Sequence, residues 1–360
     1  MVTRPDLAEL ERTALEAALA ERGHQRFHAG QIFRWLYRRG VTDVEAMTDL
    51  SRELRADLAS QFSISTPALG HREKSVDGTE KFLLRLADGR NIESVFIPDT
   101  PSMTFCISTQ VGCAMACAFC LTGKMGLVRN LTAGEIVGQV RVLADALHMR
   151  EAAFNIVLMG MGEPLHNYDE TMKALRLLTD AQGFAMPARR ITLSTVGLLP
   201  ALERLAKEPV MPNLAISLHA PTDLLRGELV PINKKYGVGD IIAAAKRFPL
   251  KKRSRITFEY VLLAGVNDSP QDARRLAKLL AGVKSKVNLI PLNAAAGIPF
   301  ERPSDAAVDQ FARIVAEQGL TVSVRKSRGR DIRAACGQLI VEGQKKSAAQ
   351  QLATVAFGHP

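Results

Sequence analysis

The chain has 360 residues, 47% of them hydrophobic, which is enough for one large α/β domain and a smaller one. Its net charge of +10 favours a polyanionic partner such as nucleic acid. The N-terminus lacks the apolar region of a secretory signal, and no stretch reaches the roughly 18 apolar residues that a membrane span requires. Five cysteines, an odd number, disfavour a disulfide scaffold, so we expect a cytoplasmic protein with clustered cysteines for metal binding or catalysis.

Residues 1–66 have helical periodicity and predict a helical accessory domain that binds RNA. Within it, Phe27, Phe33, Trp35 and Tyr37 alternate with arginines. Such a pattern suits stacking on bases, although a small core with a charged outer face is the interpretation that we favour. Residues 67–100 change to strand-like segments with Asp-Gly turn signals, which predicts a β-hairpin linker.

Residues 101–340 alternate between strand-like and helical segments, and this alternation predicts an α/β fold with a parallel sheet. Six units indicate a partial (β/α)6 TIM-like barrel, whose chemistry would lie at the carboxyl ends of the strands. Thr132 with Glu135, and Ser269 with Pro270, mark two helix starts. Strands are expected at 103–109, 154–160, 190–195, 213–219, 255–263 and 286–293, and helices at 132–149, 168–182, 198–207, 238–247, 270–282 and 304–318. Residues 341–360 carry no motif and are expected to form a tail.

Cys113, Cys117 and Cys120 have the spacing C-x3-C-x2-C, which is the most informative feature of the chain. Three thiolates can hold three corners of a [4Fe–4S] cubane and leave the fourth iron open to a ligand that is not protein. Two other interpretations stay open on spacing alone. One is a tetrahedral zinc site with Cys106 as the fourth ligand, and the other is a disulfide.

Further polar and glycine-rich features lie where the predicted strands end, and they predict one site on one rim of the barrel. Taken singly, Glu163 would also suit a helix start, and His219 a structural role. The features after the second, third, fourth and sixth strands are Gly160-Met161-Gly162-Glu163-Pro164, Ser194-Thr195, Ser217-Leu218-His219 and Asn293.

Taken together, these motifs resemble the RlmN/Cfr family of radical S-adenosylmethionine (SAM) RNA methyltransferases over residues 24–340. The segments Gln110-Val111-Gly112 and Gly162-Glu163-Pro164 are more similar to its RlmN branch, whereas Leu292 departs from it by replacing a tryptophan. The motifs that carry the resemblance are Cys106 with the three-cysteine run, residues 28–37, 129–132, 159–164, 217–220, 231–236 and 288–291, and Asp331-Ile332 with Ala334-Ala335-Cys336-Gly337-Gln338-Leu339.

The resemblance implies a [4Fe–4S] cluster on Cys113, Cys117 and Cys120, and two SAM molecules per turnover. The residues implied for SAM binding are Gly162, Glu163, Ser194, Ser217, Leu218, His219 and Asn293. Cys336 would accept a methyl group from one SAM, and a radical from the second would activate that group for addition to adenine. Glu93 would remove the ring proton, and Cys106 would release the product by forming a disulfide with Cys336.

The resemblance further implies methylation of adenosine C2 in 23S rRNA, and of tRNA beside the anticodon. It also implies a flavodoxin- or ferredoxin-like electron donor and a monomeric enzyme without a membrane partner. Three alternatives stay open: Cfr-like methylation of adenosine C8, a non-catalytic zinc-containing RNA-binding protein, and a radical SAM enzyme for a small molecule.

Overall fold

The computed structural model describes residues 4–98 and 102–341, and one ten-stranded sheet organises most of them. Its strands, together with the separate pair β5 and β6, are β1 (Ala68–Lys74), β2 (Glu80–Arg85), β3 (Asn91–Ile97), β4 (Thr104–Cys106), β5 (Gln110–Gly112), β6 (Leu127–Asn130), β7 (Asn155–Leu158), β8 (Ile191–Thr195), β9 (Asn213–Ser217), β10 (Ile256–Leu262), β11 (Ser285–Pro291) and β12 (Thr321–Val324). The α-helices are α1 (Arg12–Ala20), α2 (His28–Phe33), α3 (Arg52–Gln61), α4 (Leu121–Met125), α5 (Ala133–Ala146), α6 (Tyr168–Thr179), α7 (Leu199–Leu205), α8 (Asp223–Leu229), α9 (Val238–Arg247), α10 (Pro270–Leu279) and α11 (Asp305–Glu317).

The parallel part of the sheet runs β4-β7-β8-β9-β10-β11-β12, with helices in the connections, and confirms the predicted α/β barrel-like fold. All six expected strands are present within a few residues of their predicted bounds. A seventh parallel strand, β12, was not predicted. The capping box of Thr132 and Glu135 and the Ser269 cap are both formed, so these helices begin where the sequence indicates.

The predicted hairpin is a three-stranded antiparallel meander, β1 to β3, and it continues the barrel sheet because β3 pairs with β4. At the opposite end of the sheet, β12 has no further neighbour among the described strands. The barrel is therefore open between β12 and the meander.

Residues 325–341, which we call the seam segment, fill this opening. At the amino end of the barrel, Asp77 accepts from the N–H of Gly329 at 2.9 Å, and the Ser75 hydroxyl donates to Asp331 at 2.5 Å. At the other end, the carbonyl of Gly337 accepts from the N–H of Leu121 at 2.8 Å. The segment thus connects the strand edges over the full height of the barrel. Apart from residue 341, the predicted tail lies outside the described residues.

The N-terminal helices pack on α6 and the loop after it, and they share one apolar core with the barrel. Arg12 pairs with Asp180 at 2.9 Å. Of the four aromatic side chains noted in the sequence, Phe33, Trp35 and Tyr37 are buried, which confirms the core interpretation for these three. Phe27 is 65% exposed. Within residues 4–98 and 102–341, no helix is long and apolar enough to cross a membrane.

Candidate active site

The three clustered cysteines lie in the loop between β5 and α4, at the carboxyl end of the barrel. The hairpin of β5 and β6 fixes the start of this loop, because the N–H of Cys113 donates to the carbonyl of Gly126 at 3.0 Å. A second bond, from the N–H of Ala118 to the carbonyl of Leu229 at 3.0 Å, holds its middle against α8. The loop is therefore shaped by backbone contacts on two sides.

These cysteines share a cavity with most of the side chains predicted to bind SAM. Leu218 is buried beside the cavity without lining it, and its N–H and carbonyl are both hydrogen bonded. The hydroxyl oxygens of Ser194 and Ser217 lie 3.4 Å apart. The predicted residues that line the cavity are Cys113, Cys117, Cys120, Gly162, Glu163, Ser194, Ser217, His219, Asn293 and Cys336.

Glu163 is buried and held in one orientation by backbone donors. Its Oε1 accepts from the N–H of Leu165 at 3.1 Å, and its Oε2 accepts from the N–H of Val196 at 3.0 Å. Burial raises its pKa to about 7, against the opposing effect of these hydrogen bonds. A cationic ligand in the cavity would favour the carboxylate, so the residue suits recognition of an ammonium group.

His219 is buried with a backbone φ of 61°, and its ring makes an edge-to-face contact with Phe119 at 4.8 Å. Its Nδ1 accepts from the N–H of Val261 at 3.1 Å, so the neutral ring carries its proton on Nε2. Burial lowers its pKa to about 3. The side chain therefore offers the cavity a neutral hydrogen-bond donor.

Cys336 and Cys106 lie near one another although 230 positions separate them in the sequence. Cys336 lies on the seam segment, where its carbonyl accepts from Asn293 Nδ2 at 3.2 Å. Cys106 ends β4 and is buried, and burial, with the neighbouring Cys336 as a lesser cause, raises its pKa to about 12. The guanidinium of Arg325 interacts electrostatically with both thiols.

Glu93 does not line this cavity, but it holds the seam segment near Cys336. Its Oε2 accepts from the N–H of Ile340 at 2.8 Å, and its Oε1 lies 3.2 Å from Lys81 Nζ. Burial raises the pKa of this carboxyl group. The structure thus brings Glu93 to the side of the site on which the seam segment lies.

The donor set fits an iron–sulfur cluster. The thiols of Cys113 and Cys120 accept backbone N–H groups of Met115 and of Thr122 and Gly123, as cluster ligands commonly do. Asn293 Oδ1 is buried and has no hydrogen-bond partner among the described residues, which suits a polar ligand such as SAM.

The zinc alternative needs Cys106 beside the other three thiols. The sulfur with which Cys106 interacts is instead that of Cys336. The position of Cys106 beside Cys336 therefore disfavours a zinc site that uses Cys106 as its fourth ligand.

Two residues that hold the site were missed by the sequence analysis. Gln110 accepts from the N–H of Glu163 at 2.9 Å; its segment was noted for its similarity to the RlmN branch, but the residue was not predicted to hold the site. Arg226 is completely buried under the site, whereas an arginine in a short helix usually indicates a solvated face. The signal that could have found it is its position in the helix between two motifs, residues 217–220 and 231–236.

Comparisons with known proteins agree with this geometry. Residues 107–277 match the model of the radical SAM superfamily, and residues 5–64 match that of the ribosomal RNA large subunit methyltransferase N-terminal domain. The chain is 50% identical over 339 residues to the dual-specificity RNA methyltransferase RlmN of Geobacter sulfurreducens, covering 94% of this chain and 93% of that protein. It is 44% identical to the RlmN of Anaeromyxobacter dehalogenans, covering 99% of this chain and 97% of that protein.

A crystal structure of a radical SAM methyltransferase from Sphaerobacter thermophilus superimposes with a TM-score of 0.88 at 48% identity, covering 93% of this chain and 99% of that one. The barrel and its three-cysteine loop thus define a radical SAM enzyme, a class that uses SAM and a [4Fe–4S] cluster. Within this class, the chain belongs to the RlmN family of RNA methyltransferases.

Proposed function

We propose that this enzyme methylates C2 of adenosine in 23S rRNA and in tRNA, through a methylated cysteine and a transient protein disulfide. The observation that carries the proposal is the placement of Cys336 and Cys106 beside each other, with Cys336 in the same cavity as the three-cysteine loop. The relatives are named dual-specificity RNA methyltransferases, which supports two kinds of RNA substrate.

Cys113, Cys117 and Cys120 would hold the cluster, which when bound supplies the electron for cleavage of SAM. Glu163 would accept a hydrogen bond from the SAM ammonium, and His219 Nε2 would donate one to the same ligand. The side chains that line the rest of the cavity would orient the remainder of the SAM molecule; they are Ser194, Ser217 and Asn293. Because these groups lie on strand ends of one sheet, they are held in place before the ligand arrives.

Cys336 Sγ would attack the methyl carbon of one SAM, forming an S–CH3 bond and releasing S-adenosylhomocysteine. After a radical derived from a second SAM removes one hydrogen atom, the methylene carbon would bond to adenine C2, and the adduct would lose its unpaired electron, which the cluster could accept, and its C2 proton. Cys106 Sγ would then attack Cys336 Sγ, so that the S–S bond forms as the C–S bond breaks, and the carbon keeps the electron pair and takes a proton to become the new methyl group. A reductant would return both cysteines to free thiols. Each turnover needs two SAM molecules, because one supplies the methyl group and the other the radical.

Glu93 is our candidate for the base that takes the C2 proton before this release. A buried carboxylate with a raised pKa is a better proton acceptor than an exposed one. Its contact with Ile340 supports this role, because Ile340 belongs to the segment that would carry the adduct.

A polar cavity of about 710 Å³ on the amino-end side of the barrel supports an RNA substrate. Barrels of this type usually have bulky branched side chains inside, but here each strand contributes a polar one. The cavity meets the SAM cavity at Met159, Glu259 and Arg325. The inward polar residues are Thr104, Asn155, Thr192, Asn213, Thr257, Lys286 and Ser323, and the cations around them are Arg189, Arg190, Lys326 and Arg328. Within the part of the chain that the structure describes, none of these four cations pairs with a carboxylate, and unpaired cations suit phosphate groups.

We further propose that the enzyme acts in the cytoplasm as a monomer, with a flavodoxin- or ferredoxin-like protein as electron donor. Four basic residues just before β10 are exposed and lie at the amino ends of the strands, away from the three-cysteine loop: Lys251, Lys252, Arg253 and Arg255. They would therefore contact RNA backbone rather than the target base.

The test is methylation of protein-free 23S rRNA and of tRNA by reconstituted enzyme, followed by mass spectrometry of the nucleosides. We expect 2-methyladenosine from both RNAs, no product with Cys336→Ala, and a covalent RNA–protein adduct with Cys106→Ala. Both variants should retain iron and sulfide like the wild type. The product 8-methyladenosine, or a colourless zinc protein, would contradict the proposal.

A further inference from the structure

Arg226 is a fully buried cation whose hydrogen bonds all go to neutral groups. It lies on α8, and its side chain is among the largest that are completely buried in the described chain. Its Nη2 donates to the carbonyl of Val196 at 2.6 Å and to that of Ser217 at 3.0 Å. Its Nε donates to the carbonyl of Leu218 at 2.9 Å, and its Nη1 to Asn233 Oδ1 at 3.0 Å. A buried charge held only by dipoles is costly unless an opposite charge lies near it.

Asp223, one of the two acids of α8, is hydrogen bonded to Arg226 only through an amide, although its charge also acts on the guanidinium. Asn233 Nδ2 donates to Asp223 Oδ1 at 3.0 Å, while the other end of this amide accepts from Arg226. The guanidinium also interacts electrostatically with the sulfur of Cys117, which would be a negatively charged thiolate when it holds the cluster. Helix α8 is also joined to the cysteine loop itself, since Leu229 accepts from the N–H of Ala118, the residue after Cys117.

We propose that Arg226 is a positioning residue that supplies the buried counter-charge for the iron–sulfur cluster and raises the potential at which the cluster accepts an electron. Three thiolates place negative charge at one end of the cavity, and reduction adds one electron to it. A fixed positive charge in a site of low dielectric stabilises the reduced state more than the oxidised state, because the reduced state carries the greater negative charge.

The same guanidinium connects the cluster to the SAM site. The carbonyl of Val196 accepts from Arg226, and its N–H donates to Glu163. The carbonyls of Ser217 and Leu218 hold the β9 end that precedes His219. Asn233, in a motif that the proposed reaction does not use, thus acquires a role as the group that orients Arg226. This inference depends on membership in the radical SAM superfamily, and not on which carbon is methylated.

The test is the midpoint potential of the reconstituted holoenzyme without RNA, measured by reductive titration with dithionite and detected by electron paramagnetic resonance. Arg226→Met removes the charge and keeps most of the length, whereas Arg226→Lys keeps the charge and changes the hydrogen bonds. Arg204→Met is the matched control, because Arg204 is 58% exposed and lies at the end of another barrel helix.

At the potential where the wild-type cluster is half reduced, we expect the ratio of reduced to oxidised cluster to fall about tenfold in Arg226→Met. A tenfold change corresponds to a lowering of about 59 mV for one electron. Arg226→Lys should recover most of the wild-type potential, and Arg204→Met should match the wild type. An unchanged potential in Arg226→Met with a full iron content would overturn the inference, as would an Arg226→Lys potential as low as that of Arg226→Met.

A second variant covers the case in which Arg226→Met does not retain iron. Asp223→Asn removes the acid that partly offsets the guanidinium and keeps an oxygen for Asn233 and for the N–H of Val238. We expect this change to raise the potential, which is the opposite sign from loss of the arginine. A lowered or unchanged potential in Asp223→Asn would overturn the inference. Because no RNA is present, these outcomes are independent of the proposed methylation.

Discussion

Gly112 is the residue of the cysteine loop at which one added methyl group should do the most damage. It directly precedes Cys113, has a φ of +77°, and a Cβ built on it would lie 1.9 Å from the carbonyl oxygen of Gly126. That oxygen accepts the N–H of Cys113, so it cannot move away without losing the bond that fixes the first cysteine. We therefore predict that Gly112→Ala destabilises the protein and lowers its iron content.

The magnitude follows from two separate costs. An L-residue at this positive φ costs about 1–2 kcal/mol, and leaving the buried N–H of Cys113 without its partner costs about 1–3 kcal/mol. The expected loss for Gly112→Ala is therefore about 2–5 kcal/mol. Gly126 has a φ of +70° and a ψ of 172°, a region that is essentially restricted to glycine, and nothing within 4 Å of an added Cβ, so Gly126→Ala should cost about 1–3 kcal/mol. Gly239, in α9 with open space around it, should give a gain of about 0.5–1 kcal/mol as alanine.

The assay is anaerobic urea unfolding of the three reconstituted variants, together with iron per chain. We expect the order of stability Gly239→Ala, wild type, Gly126→Ala, Gly112→Ala, with iron loss confined to the last. Equal losses in Gly112→Ala and Gly126→Ala would show that the close approach to the carbonyl contributes nothing, and the reasoning would be refuted.

Three further predictions concern ionisable groups. Because the pKa of Glu163 is about 7 without ligand, SAM affinity measured by calorimetry should rise about tenfold from pH 6 to pH 8, whereas Glu163→Gln should show a flat profile. The pKa of His219 falls from 6.5 to about 3 on folding, so its stability contribution is complete above pH 6.5 and declines as pH falls. His219→Gln should therefore lose less stability than the wild type between pH 7 and pH 5 in urea titrations; an equal loss would contradict the assignment. Glu93→Gln keeps an acceptor for the seam segment but loses the base, so gels should show accumulated RNA–protein adduct, and rapid release would exclude Glu93 as the base.

The sequence could predict the parallel sheet because its strands are apolar and bounded by helix caps, as at Thr132 and Ser269. It could also predict that the site lies at the carboxyl ends of the strands, since the polar residues follow the strands directly. It could not predict β12, which has only four residues and is mostly exposed. Such a strand is specified by pairing with β11 rather than by a pattern of its own.

The path of the seam segment could not be predicted from the sequence either, because it depends on contacts with residues that are far away in the chain. Asp77 belongs to one of the Asp-Gly turn signals of residues 67–100, yet it also holds Gly329 across the opening of the barrel. Arg226 was missed for a similar reason, since its role depends on the carbonyl groups that accept its hydrogen bonds. In each case the role depends on contacts between residues far apart in the chain, which no local sequence pattern indicates.

The contacts on both sides of Cys336 limit how it can exchange partners. Its own carbonyl is held by Asn293, and Gln338 Nε2 donates to the carbonyl of Ala294 at 2.9 Å. Since the segment is held at these points and again through the carbonyl of Gly337, a large excursion of the loop would break at least these three hydrogen bonds. Rotation about the side-chain bond of Cys336 breaks none of them. The geometry therefore favours a mechanism in which the sulfur turns between the SAM cavity and Cys106 while the backbone of the seam segment stays in place.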